Sequence, residues 1–182
     1  MTILNEKSLN YAAYLCESES EFVNLNWQPC VKIEYDIQVY VPPTGTKVYN
    51  FLEDSSYVTN DQKPYVLVGT VGEEWTVNLK KILTAYTFEG KPITEDVVTN
   101  ILSDGEKHTI RAIAGVEKFF AVQTKDQINV TTSWGEVLKT NRPEVKHGKG
   151  DYLICYDKNG SPDLNDMWVI NGTIFPNTYK FV

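Results

Sequence analysis

The feature that most constrains how this chain can fold is an internal repeat. When Trp75 is aligned on Trp168, three further side chains recur at the same spacing, namely Asn78 on Asn171, Tyr86 on Tyr179 and Phe88 on Phe181. Upstream, Tyr-Val-Leu-Val at 65–68 matches Tyr-Leu-Ile-Cys at 152–155 once the intervening loop is allowed to differ in length. We therefore predict one small module used twice, and we expect residues 60–90 to superpose on 147–182.

Composition indicates which kind of module is repeated. A chain of 182 residues, 42% hydrophobic and 23% charged, is long enough for two small units and has the make-up of a globular protein. Its eleven Tyr, seven Phe and four Trp favour strands. The predicted fold class is α+β and mostly β: two related small β modules, each a sheet or half-barrel, with a connecting helix and an N-terminal helix.

Local patterns divide the chain into four parts. We predict an N-terminal helical extension over 1–30, a first β module over 31–90, a connecting helix and strand over 91–117, and a second β module over 118–182. The helix of the extension follows from an apolar stripe at i, i+3, i+4 and i+7 within residues 5–17.

Three elements inside these parts are predicted in more detail. Alternation of apolar and polar residues over 31–41 predicts one strand. A helix is predicted over 93–104, because Thr94 can cap its start and Gly105 can end it. Its buried face is predicted to consist of Val97, Val98, Ile101 and Leu102. Residues 157–167 are expected to form a hairpin loop that the first copy lacks.

The charge of the chain limits its partners. With 24 acidic residues against 17 Lys and Arg, the net charge is −7, so we expect no direct binding to nucleic acid. Acidic clusters at 17–21, 53–54, 73–74 and 95–96 have two interpretations. They can meet a basic partner, or they can simply keep the surface solvated.

Cysteine usage and the start of the chain bear on localisation. Three cysteines without a CxxC pair are typical of reduced thiols. The first residues lack the basic and apolar regions of a signal peptide, and no apolar run is long enough to span a membrane. We expect a cytoplasmic protein that makes no membrane contact.

The second copy carries a motif that resembles a known family. Gly-Lys-Gly-Asp-Tyr-Leu-Ile-Cys at 148–155 is followed by Trp-Val-Ile-Asn-Gly at 168–172 and by Phe-x-x-Thr-Tyr at 175–179. This ordered set resembles the small PGDYG-like domain of many phage and prophage proteins, although Lys149 stands where Pro is usual. The first copy keeps the part at 68–75.

The resemblance covers roughly the last 65 residues and residues 60–90, where Lys63-Pro64 replaces the expected Gly-Asp. It leaves residues 1–30 unexplained. It implies a phage or mobile-element accessory protein of a bacterium. In size and charge the chain is similar to type II anti-CRISPR proteins, which bind Cas9. No functional residue is carried over from that class.

Few residues offer catalytic chemistry. Cys155 with His147 and Asp151 has the composition of a thiol nucleophile with a base and an orienting group. However, Cys155 lies in an apolar strand, where a free cysteine usually packs as a small hydrophobe. His108 is expected on the surface. We therefore predict no catalytic residue.

Ligand motifs are equally sparse. Residues 157–166 are rich in oxygen ligands, but the glycine comes too early for a calcium loop, the closing Glu is absent, and the same residue types make turns. The two histidines are too far apart in sequence for zinc. Acidic Glu73 and Glu74 directly follow residues 69–72, which argues against a phosphate loop there. No metal or cofactor is expected.

The aromatic residues complete the functional hypothesis. Trp75 and Trp168 can stack on bases, but their recurrence in the repeat favours core packing, whereas Trp27 and Trp134 are better candidates for interface anchors. We expect a non-enzymatic inhibitor that occupies a basic surface of a host defence protein such as a Cas9-type nuclease. The expected partner-binding residues are Glu17, Glu19, Glu21, Trp27, Glu95, Asp96, Trp134, Asp157, Asp163 and Asp166.

Two alternatives remain open from the sequence. One is a small-ligand-binding or enzymatic module with a pocket between the copies, near the pairs Tyr152/Trp168 and Tyr65/Trp75. The other is a structural phage protein. The oligomeric state is not predicted.

Overall fold

A computed structural model describes residues 25–132, 135–143, 145 and 150–182, which fall into two compact units. The contiguous unit is Ile33–Ala114. The split unit joins the residues up to Lys32 to Gly115–Val182. The helix predicted within 5–17 lies outside the described residues.

Strands dominate the described residues, as the sequence predicts. In chain order they are β1 (Gln28–Lys32), β2 (Tyr35–Tyr40), β3 (Lys47–Asn50), β4 (Ser55–Val58), β5 (Tyr65–Val68), β6 (Glu74–Val77), β7 (Tyr86–Phe88), β8 (Lys91–Pro92), β9 (His108–Ala112), β10 (Lys118–Gln123), β11 (Asn129–Thr131), β12 (Val137–Lys139), β13 (Tyr152–Lys158), β14 (Ser161–Ile170) and β15 (Tyr179–Phe181). The helices are α1 (Leu79–Ala85), α2 (Glu95–Val97) with a π-helical continuation (Val98–Leu102), and α3 (Phe175–Thr178). The fold class α+β, mostly β, is confirmed.

The contiguous unit is built on a six-stranded sheet in the order β6-β5-β2-β9-β7-β8. All neighbouring strands are antiparallel. One core cluster combines strand residues such as Val39 and Leu67 with Ile82 of α1 and Leu102 of the π-helical turn, none of them exposed. The β3–β4 hairpin lies beside β6.

The split unit contains, among its described residues, a five-stranded antiparallel sheet in the order β14-β13-β10-β1-β15. Two core clusters form in this unit. Alternate residues of a strand contribute to different clusters, as the period of two requires: Ile154 belongs to one and Leu153 and Cys155 to the other. The β11–β12 hairpin lies beside β14.

The helix predicted over 93–104 is present as α2 and its π-helical turn. The Thr94 hydroxyl accepts a hydrogen bond from the Val97 N–H at 3.3 Å, so the predicted cap is confirmed. Val98 and Leu102 are buried, but Ile101 is 40% exposed, so its predicted burial is wrong. The wider π-helical spacing turns Ile101 away from the core face that Leu102 occupies.

The two copies share the same register. In the β5–β6 hairpin Leu67 pairs with Trp75, and in the β13–β14 hairpin Ile154 pairs with Trp168. In both copies a short helix follows the hairpin, with one buried apolar residue at the same place in each, Ile82 or Phe175.

Each helix then ends in an extended tyrosine. Tyr86 has φ −136° and ψ 158°, and Tyr179 has φ −135° and ψ 160°. Each tyrosine opens the strand that closes its copy. Trp75 and Trp168 therefore occupy corresponding places in two hairpins, and Tyr86 and Tyr179 occupy corresponding helix ends, so each copy is a hairpin–helix–strand module.

A reciprocal strand exchange extends this repeat. Each hairpin–helix–strand module is preceded by a long strand, β2 or β10, and by a shorter strand, β1 or β9. The strand β1, which leads into β2, pairs with β10 and β15. The strand β9, which leads into β10, pairs with β2 and β7. Each copy thus contributes its leading strand to the sheet of the other copy.

Two sequence predictions are wrong in detail. The run 31–41 is not one strand, because β1 ends at Lys32 and β2 begins at Tyr35, in different sheets. Residues 157–167 are not a loop either. They continue β13 into β14 through a tight turn in which Asn159 has φ 54° and Gly160 has φ 87°, the left-handed values of a two-residue hairpin.

Candidate functional site

The most distinctive surface of the split unit is an aromatic cluster on one face of its sheet. We define this aromatic face by the residues Phe119, Tyr152, Tyr156, Trp168, Phe175, Tyr179 and Phe181. In the contiguous unit the equivalent cluster is covered by the segment that contains Ile93, Val98 and Leu102. Among the described residues of the split unit, strands and α3 alone supply this cluster.

The rings of the aromatic face are in mutual contact. Tyr152 stacks on Phe175 with ring centroids 3.9 Å apart, and Tyr156 lies 5.2 Å from Trp168 and 5.3 Å from Phe119. Such offset and tilted pairs add to the energy of burial. The face is therefore a preorganised surface rather than a set of independent side chains.

Exposure divides the aromatic face into a base and a surface. Phe119 and Phe175 are buried, whereas Tyr156 is 36% exposed and Phe181 is 46% exposed. Trp168 is half-buried, so its exposure lies between that of the two buried rings and that of the two exposed rings. A rigid, partly exposed aromatic group on a buried base is the arrangement found at the centre of protein interfaces.

Carboxylates lie at the rim of this face. The pKa of Tyr156 is raised mainly by burial, and the nearby carboxylates of Glu117 and Asp166 raise it further. Glu117 is exposed and Asp166 is half-buried. The rim is therefore negative, and the Tyr156 phenol keeps its proton at neutral pH as a hydrogen-bond donor.

Of the acidic residues predicted to bind a partner, Asp166 lies at this rim. Asp163 accepts a hydrogen bond from the Asn165 N–H at 3.2 Å, and Asp157 accepts one from the Gly160 N–H at 2.6 Å, so both carboxylates hold β14 and its turn. Glu95 and Asp96 are exposed in the other unit, in the first turn of α2.

The remaining predicted residues lie elsewhere. Trp27 is half-buried and packs against the core cluster on the opposite face of the split unit, which contains Leu153 and Met167. Glu17, Glu19, Glu21 and Trp134 lie outside the described residues. Of the predicted residues that the structure describes, it therefore brings one, Asp166, to the aromatic face.

Residues that sequence reasoning missed are Tyr156, Phe181 and Glu117. The alternation of β13 places Tyr152, Ile154 and Tyr156 on one face of the sheet, which is a signal that the sequence contains. The exposure of Tyr156 had no such signal, because it depends on what other segments cover that face.

Cys155, which the sequence offers as a thiol nucleophile, lies in the core of the split unit. Cys155 is buried, and burial is the main cause that raises its pKa to about 12. Asp151 accepts hydrogen bonds from the backbone N–H groups of Asn141 at 2.9 Å and Gly172 at 3.0 Å. His147 lies outside the described residues. Cys155 packs as a core residue, and Asp151 ties two loops together.

The alternative hypothesis of a small-ligand pocket names two aromatic pairs, Tyr152/Trp168 and Tyr65/Trp75. Tyr152 and Trp168 both pack on the core of the split unit, and Tyr65 and Trp75 both pack on the core of the contiguous unit.

Among the described residues, no group of three or more His, Cys, Asp or Glu side chains is placed to hold a metal ion. In the same part of the chain, no helix has the length and apolar character needed to cross a membrane.

Comparison with family models, with curated proteins and with solved structures found no match to this chain. The resemblance to the PGDYG-like domain stays a prediction from the motif.

Proposed function

We propose that this protein is a non-enzymatic binding protein that docks on a basic surface of a partner protein through its aromatic face and the acidic rim. The observation that carries this proposal is the exposure of Tyr156 and Phe181 on a buried aromatic base, with Glu117 and Asp166 near Tyr156. Aromatic anchors surrounded by polar groups are where binding energy concentrates.

The chemistry of this surface defines the partner. Exposed rings fit an apolar patch or a flat guanidinium group, and the carboxylates at the rim fit Lys or Arg around it. The net charge of −7 adds long-range attraction to any basic protein. Association should therefore be fast at low salt and weaken as salt is raised.

The resemblance of the second copy to a phage and prophage domain suggests the kind of partner. The part of that motif in the described residues at 152–155 and 168–179 forms β13, the end of β14 and α3, which carry most of the aromatic face. We propose a bacterial host defence protein, with a Cas9-type nuclease as the first to test, and hence a role in the cytoplasm of the host cell.

The test uses the full chain with a guide-loaded Cas9-type nuclease. The wild-type protein should inhibit DNA cleavage and co-elute with the nuclease. The double variant Tyr156→Ser with Phe181→Ser should lower affinity about a hundredfold, since each residue is an exposed anchor worth about tenfold. The matched control is Tyr49→Ser, which removes a ring 48% exposed in the contiguous unit and should leave affinity unchanged.

Two outcomes reject different parts of the proposal. Absence of inhibition and of co-elution rejects the Cas9-type partner. The partner is then sought by capture from a bacterial lysate with mass spectrometry, using the wild type and the double variant side by side. Capture that the double variant does not weaken rejects the aromatic face as the binding surface.

A further inference from the structure

A cavity in the contiguous unit lies where β6 passes into α1. Its volume is about 350 Å³, at the small end of the range typical of ligand sites. Apart from Val77, its lining is polar and consists of Lys63, Thr76, Asn78, Lys80, Lys81 and Thr84. This cavity is independent of the proposed function, which rests on the other unit.

The lining of the cavity is basic in an acidic protein. Lys63, Lys80 and Lys81 line it, and no Asp or Glu does. The ion pairs found among the described residues involve His108 and Arg111, so none of the three lysines is paired with a carboxylate there. All three lysines are exposed, so their flexible side chains can turn their ammonium groups towards an anion that enters the cavity.

A threonine of β6 also lines this space. Thr76 is only 7% exposed as a residue, and its hydroxyl is not one of the buried side-chain atoms that lack a partner. The other two uncharged polar side chains of the lining are engaged within α1: Asn78 accepts from the Lys81 N–H at 2.9 Å, and the Thr84 hydroxyl donates to the Lys80 carbonyl at 2.7 Å. A hydroxyl in the lining can donate a hydrogen bond to a ligand in the cavity.

The second copy shows that the fold does not require these side chains. By the register of the repeat, Thr76 corresponds to Val169, and the three lysines correspond to Gly150, Thr173 and Ile174. Val169 packs against a core cluster of its unit. Asn78, in contrast, is kept as Asn171. Asn78 caps α1 by accepting from the Lys81 N–H at 2.9 Å, and Asn171 accepts from the Thr173 N–H at 2.8 Å in the turn before α3. An asparagine that holds the next turn is common to both copies, and the basic cavity is particular to the first.

We infer that this cavity binds a small molecule that carries one or two phosphate groups. The phosphate oxygens would accept hydrogen bonds from the ammonium groups and from the Thr76 hydroxyl. Three cations match a dianionic or trianionic group rather than a single carboxylate. An open cavity of about 350 Å³ has room for a compact phosphate group, whereas an extended strand of nucleic acid would need a longer basic groove.

The experiment measures binding of inorganic diphosphate and of adenosine monophosphate to the full chain by calorimetry at low ionic strength. Both probes should bind the wild type. The variant Lys80→Gln with Lys81→Gln should bind about a hundredfold more weakly, because each charge-assisted contact is worth about tenfold. Lys63→Gln alone should cost about tenfold and serves if the double variant does not fold. Thr76→Val, which copies the residue of the second module, should cost about threefold.

The matched control removes the same charge away from the cavity. Lys47→Gln with Lys91→Gln changes two exposed lysines of the same unit and should leave both affinities unchanged. Equal losses in this control and in the Lys80/Lys81 variant would show an effect of net charge and overturn the site. Absence of binding at millimolar probe overturns it as well. A ten-residue thymidine oligonucleotide distinguishes the sources of phosphate, because binding of the oligonucleotide without binding of the small probes would overturn the assignment to a small molecule.

Discussion

The carboxylate of Glu73 lies directly over Gly69, where a β-carbon would stand 1.8 Å from Oε1. Both residues belong to the turn of the β5–β6 hairpin, which the Gly69 N–H closes by donating to the Glu73 carbonyl at 2.8 Å. Glu73 is only 4% exposed, and its Oε1 accepts from the Val71 N–H at 3.4 Å. The absence of a side chain at Gly69 is what allows a carboxylate to be buried in this turn.

This burial predicts a dependence of stability on pH. The pKa of Glu73 is raised above its ordinary value of 4.5, mainly because burial disfavours the charged form, with a smaller contribution from Glu53. Since the folded protein holds this proton more tightly than the unfolded chain, the stability that Glu73 contributes is full below pH 4.5 and is lost as pH rises through the folded pKa.

The variant Glu73→Gln tests this dependence, because it keeps the acceptor oxygen and carries no charge. It should raise Tm at pH 7.5, and the gain should vanish near pH 4.5, as measured by thermal unfolding across that range. A gain of equal size at both pH values would contradict this account.

A β-carbon at residue 69 should expel the carboxylate. Gly69→Ala should move the end of Glu73 into water, lose the contact to the Val71 N–H, and change the free energy of unfolding by no more than about 1 kcal/mol. In the Gly69→Ala background, Glu73→Gln should no longer raise Tm at pH 7.5, since the carboxylate is already solvated. A full effect of Glu73→Gln in both backgrounds would show that the two residues are not coupled.

The strand exchange predicts how the chain can be divided. A fragment spanning 33–114 contains every strand of its six-stranded sheet and both helical segments of its core, so it should unfold cooperatively on heating. A fragment spanning 115–182 lacks β1, which alone pairs with β15 and which supplies Cys30 to the core. Circular dichroism should show no cooperative transition for that fragment until a peptide spanning 25–32 is added. Cooperative unfolding of 115–182 without the peptide would mean that β1 is dispensable.

The two described cysteines are predicted to be unreactive in the folded protein. Cys30 is 1% exposed and Cys155 is not exposed, and burial raises the pKa of each thiol to about 12. Alkylation by iodoacetamide at pH 8 should therefore be at least about a hundredfold slower than in guanidinium chloride, since both the thiolate fraction and access are reduced. Peptide mapping by mass spectrometry identifies the labelled residue. Rapid labelling of Cys155 in the native state would revive its candidacy as a nucleophile.

The repeat was predictable because its signature residues are core residues. Trp75, Trp168, Tyr86 and Tyr179 recur at positions where packing and backbone conformation are the same in both copies. Helix caps such as Thr94 were equally predictable from the sequence, because a cap depends on residues only a few positions away.

The pairing of strands in the sheets was not predictable in the same way. The alternation over 31–41 is real on both sides of residues 33 and 34, but periodicity does not say which strand will pair with which. Short polar strands such as Ser55–Val58 carry too little pattern to be found. The dipeptide Asn159-Gly160 is a usual signal of a two-residue hairpin turn, but the many polar residues around it are equally typical of a loop, so composition alone does not distinguish the two.

The candidate sites were the least predictable part. Lys80 and Lys81 look like ordinary solvated residues of a helix, and they gain meaning only from the cavity and from the buried Thr76 beside it. Likewise, Tyr156 in the sequence is one more residue of an apolar strand. In both cases the decisive property is what other segments leave uncovered, which no local pattern records.

The exchange of leading strands also sets an order of events during translation. β1 is made before the contiguous unit, yet its partners β10 and β15 are made after it. The contiguous unit can therefore fold during translation while β1, with the apolar Cys30 and Val31, is still unpaired. The first described strand to be synthesised is among the last to be incorporated. A nascent chain stalled soon after the contiguous unit has emerged from the ribosome would carry that strand as a free edge, open to aggregation or to chaperones.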